Sequence, residues 1–269
     1  MTQSSLALSC DGQDWVLLNA SPDLRAQLAA TPALHPRGLR DSPVRAVVLT
    51  NADVDHVAGL LTLREKTPFD LYATPATLDV LAANSVFGVL DPALVVRVPV
   101  ALDVPFWPLP GLEITAYSVP GKVALYLEEA VDPQEERTGL DTRAMGEQTV
   151  GLRIAEGERV MHYLPGCADL PDWLCQRLAP ADLVFFDGTV WADDDMAQSR
   201  TGDKTGARMG HLAMSGPEGS LARLAGLVAR RVYVHINNTN PVLLPGSVAR
   251  TAVEAAGWEL AADGMEIAL

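Results

Sequence analysis

The sequence predicts an α/β protein in which two β-sheets pack face to face and helices cover their outer surfaces. Apolar, β-rich runs recur along the 269 residues and fall into two blocks, each flanked by segments with helical periodicity. Apolar residues make up 48% of the chain, which is enough to bury a sizeable core without disulfides. Because no internal repeat or low-complexity linker divides this pattern, we expect one domain over residues 1–269.

The first part of the chain begins with a predicted hairpin, whose turn is supplied by Asp11 and Gly12. Ser21 as N-cap and Pro22 in the first turn indicate where the first helix begins. The run VRAVVLT is apolar throughout, as expected of a buried strand. The predicted strands in this part lie at 4–10, 14–20, 44–50, 71–74 and 95–100, and the helices at 21–31, 56–66 and 76–90.

A β-rich stretch follows, and the final third alternates helix and strand. The predicted strands lie at 106–109, 112–119, 124–128, 149–155, 159–165, 183–188 and 231–236, and the helices at 171–179, 217–229 and 246–257. Residues 129–148 are polar and acidic and predict an exposed loop. The sequence ADG at 262–264 predicts a terminal hairpin.

Composition argues against several classes of function. The formal net charge of −14 disfavours a nucleic-acid partner, because phosphate contacts need a basic surface. No apolar run approaches the roughly 20 residues that span a bilayer, and no secretory signal is recognisable. Cys10, Cys167 and Cys175 are scattered, which suits inert thiols in a reducing cytosol. We therefore expect a cytoplasmic protein, and we interpret His35 and His162, which lack a ligand partner nearby in sequence, as structural.

The strongest local signal is Asn51-Ala-Asp53-Val-Asp55-His56, between a buried strand and a helix. Such a turn holds side chains at the carboxyl edge of a sheet, where α/β folds bind ligands. Two carboxylates, an imidazole and an amide within six residues can form half the ligand shell of a divalent metal. The alternative is that Asp53 or Asp55 only caps the following helix.

His235 ends a second predicted strand and can complete this shell. Together, Asp55, His56 and His235 make a set of two histidines and one carboxylate, which suits Fe(II) with open positions for oxygen or substrate. Zn(II) and Mn(II) are alternatives for the same site, and Asp53 is a candidate fourth donor.

The segment TGDKTGARMGHLAMSG at 201–216 combines glycines with Lys204, Arg208 and His211. Glycine allows close backbone approach, and lysine and arginine recognise carboxylates, so an anion-binding loop is predicted. The alternative is a surface loop with incidental charge. His211 is left open as a ligand, a general base or a substrate contact, and Asp187 as a residue that orients a ligand or only forms a turn.

A strand, an acidic and histidine-containing turn and a helix beginning H-x-x-G-L resemble the metallo-β-lactamase superfamily. The resemblance implies an αββα sandwich of two mixed β-sheets with metals bound at the sheet edges. Asp55, His56 and His235 match the superfamily's ligand positions.

Four other ligand positions of the superfamily are changed in this chain. Asn51 and Asp53 replace the first two histidines of the turn, Lys122 stands in place of the next histidine, and Gly166 in place of the bridging aspartate. A protonated lysine repels a cation, so a dinuclear zinc hydrolase is not expected and one mononuclear site is.

Three segments resemble the pyrroloquinoline quinone (PQQ) biosynthesis protein B family within that superfamily, and the resemblance extends over essentially the whole chain. They are LTNADVDHVAGLLTLRE at 49–65, TGDKTGARMGH at 201–211 and VYVHINNTNPV at 232–242. Members of that family begin with a further strand and a cysteine cluster, and this chain starts after the corresponding point, so a truncated gene model or a shortened homologue is expected.

The resemblance implies an Fe(II)- and O₂-dependent hydroxylase that oxidises the tyrosine ring of a Glu–Tyr-derived, carboxylate-rich PQQ precursor. The implied catalytic residues are Asp53, Lys122 and His211, and the implied substrate-binding residues are Asn51, Lys204, Arg208 and Asn237. The alternatives are a non-enzymatic carrier that helps move PQQ or its precursor to the periplasm, and a phosphodiesterase-like metal hydrolase. Assembly as a homodimer is left open.

Overall fold

The computed structural model of the chain describes residues 2–122 and 145–269, and these residues form two β-sheets. The first sheet has the strand order β1-β2-β3-β4-β5; β1 and β2 are antiparallel, and the remaining neighbours are parallel. β3 is apolar along most of its length because a parallel strand is buried on both faces. The strands are β1 (Leu6–Leu8), β2 (Trp15–Leu18), β3 (Val44–Val48), β4 (Phe69–Ala73) and β5 (Val95–Pro99).

The second sheet has the order β12-β11-β10-β9-β8-β7-β6 and is also mixed. Strands β12 to β9 run parallel, and β9 to β6 run antiparallel. Its strands are β6 (Pro105–Leu109), β7 (Leu112–Ser118), β8 (Val150–Glu156), β9 (Arg159–Leu164), β10 (Leu183–Asp187), β11 (Arg230–Val234) and β12 (Trp258–Leu260).

Three apolar clusters among the described residues hold the layers together. One lies between the sheets and takes residues from both, for example Val48 from β3 and Val232 from β11. A second packs helices against the outer face of the second sheet, and a third does the same for the first sheet. The predicted αββα sandwich of two mixed sheets is therefore confirmed.

The helices are short. They are α1 (Leu24–Ala30), α2 (Val54–Val57), α3 (Pro75–Ala83), α4 (Asp172–Leu178), α5 (Asp195–Gln198), α6 (Gly206–Met209), α7 (Ser220–Arg223) and α8 (Val248–Ala255), with 3-10 helices at Pro32–Leu34, Ala58–Leu63, Ser85–Val89 and Pro241–Leu243. No helix in the described ranges has the length and apolar character needed to cross a membrane.

Several predicted elements differ from the structure. The helix predicted at 56–66 is a single α-turn, α2, followed by a 3-10 helix, and of the helix predicted at 217–229 only α7 forms. The predicted terminal hairpin is wrong, because no strand follows β12 in the described residues; β12 itself pairs in parallel with β11. The strand predicted at 124–128 and most of the loop predicted at 129–148 lie outside the described residues.

His162, which we interpreted as structural, is buried on β9 and contacts Tyr117 on β7. Burial raises the pKa of Tyr117, so its hydroxyl stays protonated, and it lies within hydrogen-bonding distance, 2.8 Å, of Nδ1 of His162. Gly151 lies between them on β8, where a Cβ would come within 2.8 Å of Cζ of Tyr117. Burial, together with the positive charges of Arg177 and Arg153, lowers the pKa of His162 to about 3.

This lowered pKa predicts a loss of stability on acidification. Below about pH 6.5 the unfolded chain binds a proton at His162 that the folded chain does not, so the free energy of unfolding falls by up to about 1.4 kcal/mol per pH unit from this group. His162→Gln keeps a hydrogen-bonding partner for Tyr117 but does not titrate. Urea unfolding between about pH 6.5 and 4.5 should show a shallower loss in His162→Gln than in the unchanged chain; parallel losses would contradict the prediction.

Candidate metal centre

The turn after β3 carries the first half of the site. Asp53 occupies the N-cap position of α2, but its side chain makes no capping hydrogen bond, and Asp55 and His56 lie within the helix. The interpretation that these carboxylates only cap the helix is therefore not supported for Asp53. The turn is attached to the end of β2, since the Ala20 amide donates to the His56 carbonyl at 2.7 Å and the Gly59 amide donates to the Ala20 carbonyl at 2.9 Å.

Asn51 orients His56. Oδ1 of Asn51 accepts from the Asp53 backbone amide at 3.0 Å, and Nδ1 of His56 lies 2.7 Å from the same oxygen. Because the backbone amide can only donate, the Asn51 atom that faces both partners is an oxygen, so Nδ1 of His56 must carry the proton. Burial lowers the pKa of His56 to about 4, which keeps the ring neutral and leaves a lone pair on Nε2.

His235 supplies the second half of the site from the other sheet. It follows β11 directly and has a left-handed backbone, with φ of 56°, which is uncommon for a histidine. Its Nε2 lies 2.8 Å from Oδ2 of Asp55, 180 residues away in sequence. The ligand atoms of Asp55, His56 and His235, called the metal triad below, all lie within 4.8 Å of one another.

Asp55 and His235 each stabilise the charged form of the other. Burial alone raises the pKa of Asp55, but the hydrogen bond with His235 and the nearby imidazoles outweigh it, so the pKa lies below its ordinary value. Burial alone lowers the pKa of His235, and the hydrogen bond and charge of Asp55 outweigh it, so this pKa is raised. A carboxylate that stays ionised is the form that binds a cation.

The triad fits a divalent metal. Nε2 of His56 is buried and has no hydrogen-bond partner among the described residues, which is costly for a polar atom unless a ligand satisfies it. Two imidazoles and one carboxylate are donors that Fe(II) and Zn(II) both accept, and three donors leave coordination positions open.

A second cluster adjoins the triad. Ligand atoms of Asp187, His211 and His235 also lie within 4.8 Å of one another. However, Asp187 is fully buried, and both of its oxygens already accept hydrogen bonds. Oδ2 accepts from Nδ1 of His211 at 2.6 Å and from the Cys167 amide at 3.0 Å. Oδ1 accepts from the amide of Thr189 at 3.0 Å and lies 2.6 Å from its hydroxyl. Its oxygens are engaged, so this cluster, called the Asp187 network below, acts as a hydrogen-bonded support. Of the two roles left open for Asp187, orienting a ligand or only forming a turn, these contacts favour the first.

Lys122 and His211 come together on the same side of the site. The side-chain carbons of Lys122 pack on Gly210, where a Cβ would lie 2.9 Å from Cγ of the lysine. His211 is the next residue, and a Cβ on Gly166 would lie 3.8 Å from its Cε1. The His211 ring therefore lies beside the position at which the superfamily carries its bridging aspartate.

The other predicted substrate residues are Asn237, Arg208 and Lys204. Asn237 donates its backbone amide to the Thr189 carbonyl at 3.2 Å and its side chain to Sδ of Met196. Arg208 is half-buried in α6, whereas Lys204 is exposed and makes no hydrogen bond or ion pair to the described part of the chain. Their roles toward a substrate remain predictions, as does that of Asp53 as a fourth donor, since its carboxylate is outside both clusters.

Thr189 and the role of Asn51 in holding His56 were not predicted from the sequence. Oγ1 of Thr189 lies 2.7 Å from Nδ1 of His235 and links it to Asp187. The available signal was the segment Asp187-Gly-Thr189 at the end of β10, which pairs with the strand that carries His235 to the sheet edge. Nothing in the sequence distinguishes this threonine from an ordinary turn residue.

The chain matches a family model described as a beta-lactamase superfamily domain over residues 14–236. Coenzyme PQQ synthesis protein B of Ruegeria pomeroyi is 54% identical over 268 residues, which cover 99% of this chain and 88% of that protein. The protein of the same name from a Methylobacterium species is 56% identical over 270 residues, with coverage of 100% and 88%.

A solved structure gives the same result. The crystal structure of Zn(2+)-bound PqqB from Methylobacterium extorquens matches with a TM-score of 0.94 and 52% identity, covering 100% of this chain and 88% of that chain. Three observations point to the same family: a sandwich of two mixed sheets, a sequence identity above one half over at least 99% of this chain, and a TM-score of 0.94. The chain therefore belongs to the coenzyme PQQ synthesis protein B family of the metallo-β-lactamase superfamily.

Proposed function

We propose that this chain acts in PQQ biosynthesis as a mononuclear, Fe(II)-dependent hydroxylase of a tyrosine-derived ring in a carboxylate-rich precursor. The proposal rests on one observation above all: the ligand atoms of Asp55, His56 and His235 converge within 4.8 Å from two different sheets. The names of the relatives support the pathway, and the Zn(2+) of the related crystal structure supports a metal.

A single metal with open positions is favoured over the dinuclear hydrolase. Asn51 is engaged in holding His56, and Lys122 brings a cation to the place where a second metal would need an imidazole. Both oxygens of Asp187 accept hydrogen bonds from other groups of the chain, so Asp187 is not a free carboxylate for a second metal. These features argue for substrate, rather than a second ion, beside the triad.

Bound Fe(II) would supply the activation of O₂, so that a ring C–H, O₂, two protons and two electrons from an added reductant give a ring C–OH and water. The chain's own groups bind and orient the substrate. Lys122 offers a cation for a phenolate or carboxylate, and His211, whose Nδ1 donates to Asp187, contacts the substrate through Nε2. Positioning of the ring beside the triad is the main contribution expected of the protein.

The test is reconstitution with one equivalent of Fe(II) under anaerobic conditions, followed by oxygen uptake with a hydroxyphenyl amino-acid precursor and a reductant. We expect uptake that depends on both iron and precursor, with a product heavier by one oxygen atom. Tight binding of metal and precursor without uptake would reject the hydroxylase and favour the carrier. Hydrolysis of a phosphodiester by the Zn(II) or Mn(II) form would favour the hydrolase.

A further inference from the structure

We infer that Thr189 is a positioning residue of the metal centre: its hydroxyl fixes the tautomer of His235 that offers Nε2 to the metal. The inference rests on the proposed metal triad, but not on the reaction carried out there. Thr189 is 6% exposed and lies on the loop that follows β10, between the Asp187 network and the triad.

Four groups surround Oγ1 of Thr189. Oδ1 of Asp187 is at 2.6 Å and the His235 carbonyl oxygen at 2.8 Å, and both can only accept a hydrogen bond. Nδ1 of His235 is at 2.7 Å and Nδ1 of His211 at 3.1 Å.

The number of protons and lone pairs on the Thr189 hydroxyl limits the hydrogen bonds that it can make. A threonine hydroxyl has one proton and two lone pairs. Whether the proton goes to Asp187 or to the His235 carbonyl, none remains for Nδ1 of His235. That nitrogen must therefore donate to Oγ1. Nε2 donates to the ionised carboxylate of Asp55 at 2.8 Å, and a bound metal would displace this proton and take the lone pair of Nε2.

The support for this arrangement is rigid. Asp187 is fully buried at the end of β10, and backbone amides of Cys167 and Thr189 hold its two oxygens. The same hydroxyl contacts both the ring and the carbonyl of His235, whose left-handed backbone is otherwise an unfavourable conformation. Thr189 thus links a buried carboxylate to a candidate metal ligand, as groups outside the ligand shell of metal sites commonly do.

Thr189→Val tests the inference, because valine keeps the shape and removes the hydroxyl. Nδ1 of His235 then loses its acceptor, and the ring gains freedom to place its proton on Nε2, where it competes with the metal. We expect affinity for Zn(II) alone, measured by competition with a chromophoric chelator, to fall by about 10- to 100-fold. Thr189→Ser, which keeps the hydroxyl, should stay within a few-fold of the unchanged chain.

Thr74→Val is the matched control. Thr74 is also buried, and its hydroxyl donates to the Glu147 carbonyl and accepts from the Thr77 amide at the start of α3. Its loss should lower the temperature of unfolding without changing Zn(II) affinity. If Thr74→Val weakened Zn(II) binding as much as Thr189→Val, the effect would be general destabilisation and the inference would be wrong.

A second readout does not depend on any variant. In the Zn(II)-loaded protein, long-range ¹⁵N–¹H correlation spectra should show the proton of His235 on Nδ1, and a proton on Nε2 would overturn the inference. Equal Zn(II) affinity in Thr189→Val and the unchanged chain would reject the role of Thr189 while leaving the metal site intact. Failure of the unchanged chain to bind Zn(II) or Fe(II) would reject both, whereas absence of oxygen uptake alone rejects only the hydroxylase.

Discussion

The His56→Ala variant is expected to bind no stoichiometric metal. His56 supplies one of only three converging ligand atoms, and its buried Nε2 has no other partner in the described part of the chain. Removing a ligand should cost more than the roughly 100-fold that loss of a supporting residue costs. Iron and zinc content after reconstitution and desalting, measured by elemental analysis, is the readout.

His35→Ala is the control for this experiment, because His35 is exposed and its ring makes a hydrogen bond to the Ala29 carbonyl at 3.0 Å, outside both metal-ligand clusters. It should retain one equivalent of metal. Circular dichroism of both variants checks that they are folded. A His56→Ala protein that is folded and carries a full equivalent of metal would remove His56 from the ligand set, and with it the proposed centre.

The Gly59→Ala variant is expected to lose both stability and metal affinity. A Cβ at this position would lie 2.1 Å from the Ser21 carbonyl oxygen and 2.8 Å from the Ala20 carbonyl carbon, which are backbone atoms that cannot turn aside. The clash would force the 3-10 helix Ala58–Leu63 away from the end of β2, and α2 with it. We expect a decrease of about 3 kcal/mol in the free energy of unfolding, measured in urea.

Gly88→Ala provides the comparison, since Gly88 also lies in a 3-10 helix but a methyl group at its Cα would meet nothing within 4 Å. Its stability should change by less than about 1 kcal/mol. Similar losses in the two variants would show that the close approach at Gly59 is not what matters. The contact with Ser21 and Ala20 also gives a physical reason for the glycine of the H-x-x-G-L motif, which the sequence alone does not supply.

The layers of the fold and the metal triad were predictable from the sequence. Apolar runs mark the strands because burial on two faces requires them, and the acidic turn after β3 concentrates donors at a sheet edge. His235 could be joined to Asp55 and His56 because it also lies at the end of a strand, where a loop begins. These features are local in sequence or follow directly from strand direction.

The supporting contacts were not predictable in the same way. Thr189 and Asn51 act through distances below 3 Å to histidine nitrogens, and such distances depend on how loops pack after the sheets have formed. The helix predicted at 56–66 failed for a related reason. Its apolar periodicity is satisfied by a 3-10 helix as well, and the contact of Gly59 with the end of β2 fixes which of the two forms.

The apolar cluster between the two sheets affects the geometry of the metal triad, because the two sheets carry different members of the triad. Asp55 and His56 are carried by the first sheet and His235 by the second, so the thickness of that cluster sets the gap that a cation must bridge. Facing sheets stand about 10 Å apart, a spacing that depends on side-chain volume. Leu152 and Phe185, which belong to that cluster and not to the triad, therefore help to set how far apart the two halves of the centre lie.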